Sequence, residues 1–196
     1  LLSAVDCTGH GVPGALMSMI GFSKLNEISH KNNPDPGYIL EKLDEGVREA
    51  LSTKRYDHES KDGMDMALCS FDLKNKKVQY SGAFRPLIKI NGENIEETKG
   101  NRYPIGGGSS YIKNGFTTHE FDINKGDCFY MFSDGFPDQF GGPKDKKFMN
   151  KKFKALLHEI QSLSPKEQIF KLDTELKNWS GETEQVDDIL VIGVCF

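Results

Sequence analysis

The chain has 196 residues, of which 37% are hydrophobic and 28% are charged, and its formal net charge is −4. This length fits one domain with its own core, so we expect a single domain over residues 1–196. The mild net charge gives no reason to expect nucleic-acid binding, which usually involves a basic face, and no apolar run reaches the roughly 20 residues of a membrane span. We therefore expect a cytoplasmic domain. A membrane anchor in another part of the parent protein is compatible with this expectation.

The first half of the chain predicts one strand and two helices. A short apolar run at 1–5 predicts a buried strand, and a glycine-bearing turn follows at 6–11. Pro13 is typical of a first helical turn, and the helix it begins is apolar on most sides, which predicts burial. A second helix follows a turn at 33–37. Its predicted buried face consists of Ile39, Leu43, Val47 and Leu51.

The second half predicts a run of strands, then two helices, then a last strand. The predicted strands are 65–72, 78–81, 87–90, 116–121, 128–132 and 189–196, with a hairpin signal at Asn91-Gly92. Helices are predicted over 151–163 and after the capping box Ser164-Pro-Lys-Glu167. The buried face of the second one is predicted to be Ile169, Leu172, Leu176 and Trp179. Because strands and helices come in runs, the fold class is predicted as α+β and not as a parallel sheet.

The four cysteines are widely spaced and have apolar or strand-like neighbours. They are Cys7, Cys69, Cys128 and Cys195, and no two form a C-x-x-C pair. This pattern favours buried free thiols in a reducing compartment over disulfides or a zinc site.

Aspartates recur where a predicted apolar strand meets a loop. Asp6 and Asp134 each follow a strand, and the pair Asp187-Asp188 directly precedes one. Carboxylates that converge at a sheet edge repel one another, and a hard divalent cation such as Mg²⁺ or Mn²⁺ relieves the repulsion. The alternative is that each Asp forms a separate turn or helix cap. Their spacing alone leaves both interpretations open.

The segment 6–11 has further features of a phosphate site. Its glycines let the backbone approach an ion closely, and a helix N-terminus behind the loop favours an anion. His10 could donate a proton to a leaving oxygen, or it could be a hydrogen-bonded loop histidine. Arg85 and Lys144 could meet phosphate, although a solvated surface is the more frequent role of such residues.

Five segments, in order, carry a resemblance to a known family. The sequence Asp6-Cys-Thr-Gly-His-Gly11 resembles the Asp-x-x-Gly-His-Gly signature of the stage II sporulation protein E-like (SpoIIE-like) serine phosphatases, a bacterial branch of the PPM, or protein phosphatase 2C-like, superfamily. The other four segments are Asp62-Gly-Met-Asp65-Met-Ala-Leu, Ser81-Gly-Ala-Phe-Arg85-Pro-Leu, Phe132-Ser-Asp134-Gly-Phe-Pro-Asp138-Gln and Asp187-Asp188-Ile-Leu-Val.

The resemblance implies an α/β/β/α four-layer sandwich with a centre of two Mn²⁺ or Mg²⁺ ions. It implies that Asp6 bridges both metals, that the backbone carbonyl of Cys7 binds one, and that Asp134 and Asp187 bind the other. It leaves the ligand role of Asp188 open and puts Asp65 and Asp138 near the site. The residues implied to be catalytic are Asp6, His10, Asp134 and Asp187.

The implied activity is hydrolysis of phosphoserine or phosphothreonine in a protein by a metal-activated water. Family likeness further implies an anti-anti-sigma-type substrate in bacterial partner switching and sigma-factor regulation. For a fragment of a longer protein we expect an upstream sensor domain in the parent chain, and a homodimer partner could cover an incomplete sandwich edge. Because the chain opens inside a strand and without Met, we interpret it as an N-terminally truncated fragment that lacks one or two strands of the sandwich.

Two other functions compete with this one. A member with a degenerate metal site could act as a non-catalytic regulatory module that binds a protein. A nucleotide cyclase-like enzyme is disfavoured, since the glycine run at 106–108 lacks the Lys-Ser/Thr of a P-loop.

Overall fold

The computed structural model describes residues 1–9, 11–29, 35–51, 63–107 and 115–196. The chain divides into two compact units, each with its own sheet and core. Unit 1 comprises Leu1–Leu87 and Lys99–Ile123, and unit 2 comprises Ile88–Thr98 and Asn124–Phe196. No helix in the described part of the chain is both long and apolar enough to cross a membrane.

Unit 1 is a four-stranded antiparallel sheet with two helices. Its sheet order is β1-β2-β3-β6. The elements are β1 (Leu2–Cys7), α1 (Gly11–Ser29), α2 (Pro36–Leu51), β2 (Met64–Asp72), β3 (Lys77–Ala83) and β6 (His119–Asp122). Helix α2 begins where Asp35 accepts a hydrogen bond from the Tyr38 backbone N–H at 2.8 Å, which satisfies one donor of the first turn.

The core of unit 1 lies between this sheet and its helices. Alternate residues Met64, Met66 and Leu68 of β2 contribute to it, because side chains along a strand point to opposite faces in turn. The predicted face of α2 is confirmed, with Ile39, Leu43 and Val47 fully buried and Leu51 packed against the cluster.

The burial predicted for the helix around Pro13 is wrong for much of α1. The helix buries Met17 and Ile28, and Gly21 lies so close to Met64 that a Cβ there would be 2.6 Å from its Cε atom. The opposite side of α1 is apolar and exposed; it consists of Val12, Leu16, Met19 and Phe22. Apolar residues on most sides of a helix therefore did not indicate burial here.

Unit 2 is a second four-stranded sheet with helices and a small hairpin. Its sheet order is β10-β7-β4-β5, and β7 pairs antiparallel with both β4 and β10. The elements are β4 (Leu87–Asn91), β5 (Asn94–Thr98), β7 (Cys128–Phe132), α3 (Gly135–Asp138), β8 (Phe140–Gly141), β9 (Lys146–Lys147), α4 (Asn150–Ile160), α5 (Pro165–Ser180) and β10 (Val191–Cys195). The α+β class with antiparallel sheets is thus confirmed.

Helix α5 begins as predicted but buries a different face. The capping box of Ser164 and Glu167 is present. Leu172, Leu176 and Trp179 pack against the core of unit 2, whereas Ile169 is 68% exposed, so its predicted burial is wrong. Gln168 is buried instead, since its amide donates to the carbonyls of Gln161 and Leu163.

The prediction of four free thiols is wrong for two of the cysteines. Cys128 and Cys195 form a disulfide, and Cys7 and Cys69 are free. The register of β10 on β7 sets Cys195 directly opposite Cys128, with 4.1 Å between their Cα atoms. A separation of 67 residues gives no sign of this register, because strand pairing is a tertiary feature.

A buried carboxylate, Asp127, holds together the turns beside β4 and β7. Its side chain is 1% exposed and accepts from Lys89 Nζ at 3.0 Å, Asn91 Nδ2 at 2.5 Å and the Asn124 backbone N–H at 2.8 Å. Burial alone would raise the pKa of Asp127, but the hydrogen bonds from Asn91, Asn124 and Lys89 outweigh it and lower the pKa.

This pKa shift predicts an acid-sensitive unit 2. Since the folded pKa lies below the unfolded value of about 3.9, the stabilisation by ionised Asp127 is present above that value. It is lost as the pH falls through the folded pKa. We expect Asp127→Asn to lower the free energy of unfolding by roughly 2–4 kcal/mol at neutral pH. It should also flatten the acid limb, which is the decline of this free energy as the pH falls below about 4.

Urea unfolding followed by fluorescence of the single tryptophan, Trp179, measures this effect across pH. The exposed Asp122→Asn is the matched control and should cost no more than about 1 kcal/mol. An unchanged acid limb in Asp127→Asn would contradict the account.

Candidate functional site

In unit 1, two candidate residues face each other across a strand pair. Asp6 is the penultimate residue of β1 and pairs in register with Asp65 of β2. Like charges directly opposite on neighbouring strands destabilise a sheet unless a cation lies between them. Here the cation is Arg85, whose Nη2 lies 3.0 Å from Asp6 Oδ2 and 3.0 Å from Asp65 Oδ2.

Arg85 is held in place by the end of β3. The backbone at Phe84 has a φ of 58°, and the Arg85 N–H donates to the Ala83 carbonyl at 2.6 Å, so the chain turns sharply as the strand ends. The buried Tyr80 hydroxyl donates to the Arg85 carbonyl at 2.6 Å. The Arg85 side chain is 14% exposed, so of its two expected roles the solvated surface does not apply.

The loop after β1 leads into α1 through residues with unusual backbone angles. Gly9 and Gly11 have φ values of 89° and 67°, a region that favours glycine. The Thr8 N–H donates to the Gly63 carbonyl at 2.8 Å and fixes the start of the loop beside β2. Cys7, the expected carbonyl ligand, ends β1. His10, the expected proton donor, lies outside the described residues.

In unit 2, a serine joins the two acid-bearing segments. Ser133 is buried between β7 and Asp134, and its hydroxyl donates to the Asp188 carbonyl at 2.7 Å. The same hydroxyl accepts from the Leu190 N–H at 2.9 Å, and the Ser133 N–H donates to the Leu190 carbonyl at 3.0 Å. The structure therefore brings the Asp134 segment beside the Asp187–Asp188 segment.

The backbones of these two segments are in close contact. A Cβ placed on Gly135 would lie 2.3 Å from the Asp188 carbonyl oxygen, so only glycine allows this approach. Asp134 is at the N-cap position of α3, yet along this fully described stretch its side chain makes no capping hydrogen bond. Helix capping, the alternative role for this residue, is therefore not what the structure shows.

The remaining acidic and basic candidates in unit 2 are more exposed. Asp187 Oδ1 accepts from the Asp188 N–H at 2.7 Å, and both residues are exposed. Asp138, at the end of α3, forms an ion pair with Lys147 at 2.7 Å, and both side chains are about 40% exposed. Lys144 is exposed, in agreement with a solvated surface role.

The family model described as Stage II sporulation protein E (SpoIIE) matches residues 1–196. The chain belongs to the SpoIIE family. No curated protein matches it.

Solved structures place this SpoIIE-family chain among PP2C phosphatase domains. The SiaA-PP2C domain of Pseudomonas aeruginosa is 31% identical with a TM-score of 0.88, over 99% of this chain and 74% of that one. The PP2C phosphatase domain of SpoIIE from Bacillus subtilis, with a fragment of its regulatory domain, is 19% identical with a TM-score of 0.73, over 97% of this chain and 51% of that one. The RsbU and RsbW domains of a Mycobacterium tuberculosis protein are 20% identical with a TM-score of 0.72, over 97% and 50%. The last two likenesses establish the fold.

Sequence reasoning missed the roles of two residues in this SpoIIE-family chain. Arg85 lies within the motif Ser81-Gly-Ala-Phe-Arg85-Pro-Leu, but the sharp turn that directs it toward Asp6 has no signature in the sequence. Ser133 sits between a strand and Asp134, and a small hydroxyl residue at a strand end before an aspartate is its only sequence signal.

We expect Arg85→Met to destabilise unit 1 by roughly 2–4 kcal/mol, because it leaves Asp6 and Asp65 opposed without a cation. Urea unfolding followed by far-UV circular dichroism in the presence of EDTA measures this without any metal contribution. Lys77→Met is the matched control, since its ion pairs in the same sheet are exposed to solvent and should contribute little to stability. Adding Asp65→Asn to Arg85→Met should recover part of the lost stability. An equal loss of stability in Arg85→Met and Lys77→Met would contradict the account.

We expect Ser133→Ala to cost about 1–3 kcal/mol, since it removes the hydroxyl partner of the Asp188 carbonyl and the Leu190 N–H. Hydrogen exchange at 187–190 should accelerate, as measured by mass spectrometry. The control Ser180→Ala, which removes a solvent-exposed hydrogen bond to the Lys177 carbonyl, should leave that segment unchanged. Equal exchange in both variants would show that the hydroxyl does not hold the two segments together.

Proposed function

We propose that residues 1–196 form one metal-dependent protein serine/threonine phosphatase domain, which hydrolyses phosphoserine or phosphothreonine in a protein substrate. The observation that carries this proposal is a set of strand-end aspartates in a chain with the PP2C phosphatase fold over its full length. All of the proposed side-chain ligands are carboxylates, which suits Mg²⁺ or Mn²⁺ and not a soft-ligand metal.

The proposed metal ligands are Asp6, the Cys7 carbonyl, Asp134 and Asp187, with Asp188 as a further candidate. Two features of the described residues fit a metal role. The Asp134 carboxylate does not serve as the cap of α3, and Ser133 engages only backbone groups of the 188–190 segment. A carboxylate offers about four acceptor sites, so the ion pair between Asp6 and Arg85 leaves Asp6 compatible with metal binding.

Divalent cations at such a centre, when bound, supply Lewis acidity that makes a water nucleophilic and neutralises charge on phosphoryl oxygens. The chain's own residues would orient this centre. Arg85 fixes the Asp6 carboxylate and offsets its repulsion from Asp65. Ser133 keeps Asp134 beside Asp187. We assign His10 the role of proton donor to the leaving seryl or threonyl oxygen.

The substrate is proposed to be a phosphorylated protein of the anti-anti-sigma type. One structural neighbour contains RsbU and RsbW domains, which supports a partner-switching setting with sigma-factor regulation as its output. We place the domain in the cytoplasm of a bacterium, under an upstream sensor domain of the parent protein, and propose homodimerisation as a further property.

We expect the separate variants Asp6→Asn, Asp134→Asn and Asp187→Asn each to lower phosphate release from a phosphoseryl protein and from p-nitrophenyl phosphate by at least about 100-fold. Mn²⁺ affinity, measured by isothermal titration calorimetry, should fall with it. Asp188→Asn tests whether Asp188 is also a ligand, since a loss of Mn²⁺ affinity similar to that of Asp187→Asn would identify it as one.

The control is Asp173→Asn, which removes an exposed carboxylate paired with Lys177 on α5 and should change neither quantity. Mn²⁺ binding that depends on the aspartates, without phosphate release, would support the alternative of a non-catalytic regulatory module. Absence of aspartate-dependent binding would overturn the metal centre itself.

A further inference from the structure

The disulfide joins the ends of two strands whose other ends lead to candidate metal ligands. Cys128 is the first residue of β7 and Cys195 is the last residue of β10. At the other end of the ladder, Phe132 pairs with Val191, about 14 Å away by strand rise. Asp134 comes shortly after Phe132, and Asp187 shortly before Val191.

Strand β10 has few other attachments in its sheet. It is an edge strand whose neighbour is β7, and none of its five residues is buried. Beyond the ladder, its end is held by hydrogen bonds from the Gly126 N–H to the Phe196 carbonyl and from the Phe196 N–H to the Asp127 carbonyl. A covalent link at Cys195 therefore adds to the hydrogen bonds that hold this edge strand.

The disulfide is accessible from solvent. Cys195 is exposed, while Cys128 is 2% exposed. Both cysteines line an open cavity of about 700 Å³ in unit 2, together with His158, Gln161, Leu163 and Phe196. A small thiol therefore has space to enter beside Cys195, the exposed residue of the pair.

Each sulfur also has a polar partner suited to the reduced state. Cys128 Sγ lies 3.5 Å from the Gln161 carbonyl, which can accept from a thiol. Cys195 Sγ lies 3.7 Å from Gln168 Nε2, a donor that favours a thiolate. The Tyr130 hydroxyl is a second polar neighbour and lies 4.0 Å from Cys195 Sγ. Burial raises the pKa of Tyr130 to about 12, so this hydroxyl keeps its proton.

We propose that Cys128–Cys195 is a reversible redox link that small cellular thiols of the glutathione class open and that the disulfides of those thiols close. The proposal rests on the cytoplasmic location proposed above, because disulfides in that compartment are usually transient or redox-sensing. It needs no phosphatase activity.

Opening takes two exchange steps. A thiolate attacks Cys195 Sγ, forms a mixed disulfide and releases Cys128 as a thiolate, which takes up a proton and donates to Gln161. A second thiolate attacks the outer sulfur of the mixed disulfide and releases Cys195. Two equivalents of thiol are oxidised to their disulfide, and the protein disulfide gains two electrons and two protons.

The direct test equilibrates the native chain in glutathione buffers that span the cytosolic redox range, followed by acid quenching, alkylation and mass spectrometry of each cysteine. Cys69 serves as an internal reference, since burial raises the pKa of its thiol to about 12. We expect the Cys128–Cys195 pair to convert from disulfide to dithiol within this range. A pair that stays disulfide throughout, or dithiol throughout, would overturn the proposal.

A second measurement reports the effect on β10. The melting temperature of the reduced chain should be about 5–10 °C below that of the oxidised chain, and exchange at 191–196 should accelerate first. Cys195→Ser should have the same melting temperature under oxidising and reducing conditions. Cys69→Ala, which leaves the Cys128–Cys195 pair intact, should keep the difference in melting temperature. The same melting temperature in both buffers for the native chain would show that the link does not control this strand.

Discussion

Asp6 and Asp65 face each other across the β1–β2 ladder, and the guanidinium of Arg85 between them makes that arrangement stable. Without a cation, two half-buried carboxylates in register would push the strands apart at the point where the loop between β1 and α1 begins. The turn after β3 and the Tyr80 hydroxyl serve this contact, since they fix the Arg85 backbone. The position of Asp6, and hence of any metal it binds, depends on this ion pair.

Unit 2 positions its acidic residues in another way. Ser133 bonds to backbone groups of the segment that carries Asp187 and Asp188, and Gly135 allows that segment to approach closely. These hydrogen bonds join the Ser133 hydroxyl to backbone groups, so they hold the acidic segments together without using a carboxylate oxygen as an acceptor. One unit thus relies on charge compensation and the other on backbone contacts, and both act at residues of the proposed metal centre.

Local periodicity and capping signals predicted the elements well. The strand predicted at 65–72, the apolar face of α2 and the Ser164–Glu167 capping box are properties of neighbouring residues, and the structure confirms them. Features set by distant contacts escaped prediction. The exposed side of α1, the burial of Gln168 in place of Ile169 and the pairing of Cys128 with Cys195 depend on what packs opposite each element. The joint metal role of the aspartates stays a prediction.

The disulfide also changes the topology of the chain. In the oxidised state it closes a covalent ring across a sequence separation of 67 residues, and this ring contains both Asp134 and Asp187. A single proteolytic cut inside the ring would leave its two fragments joined, so the nick would be invisible on a non-reducing gel. In the reduced state, a cut between Asp134 and Asp187 would leave Asp187 and the C-terminal strand without a covalent link to the rest of the chain. The redox state of two cysteines thus decides whether damage to the loops of unit 2 is tolerated.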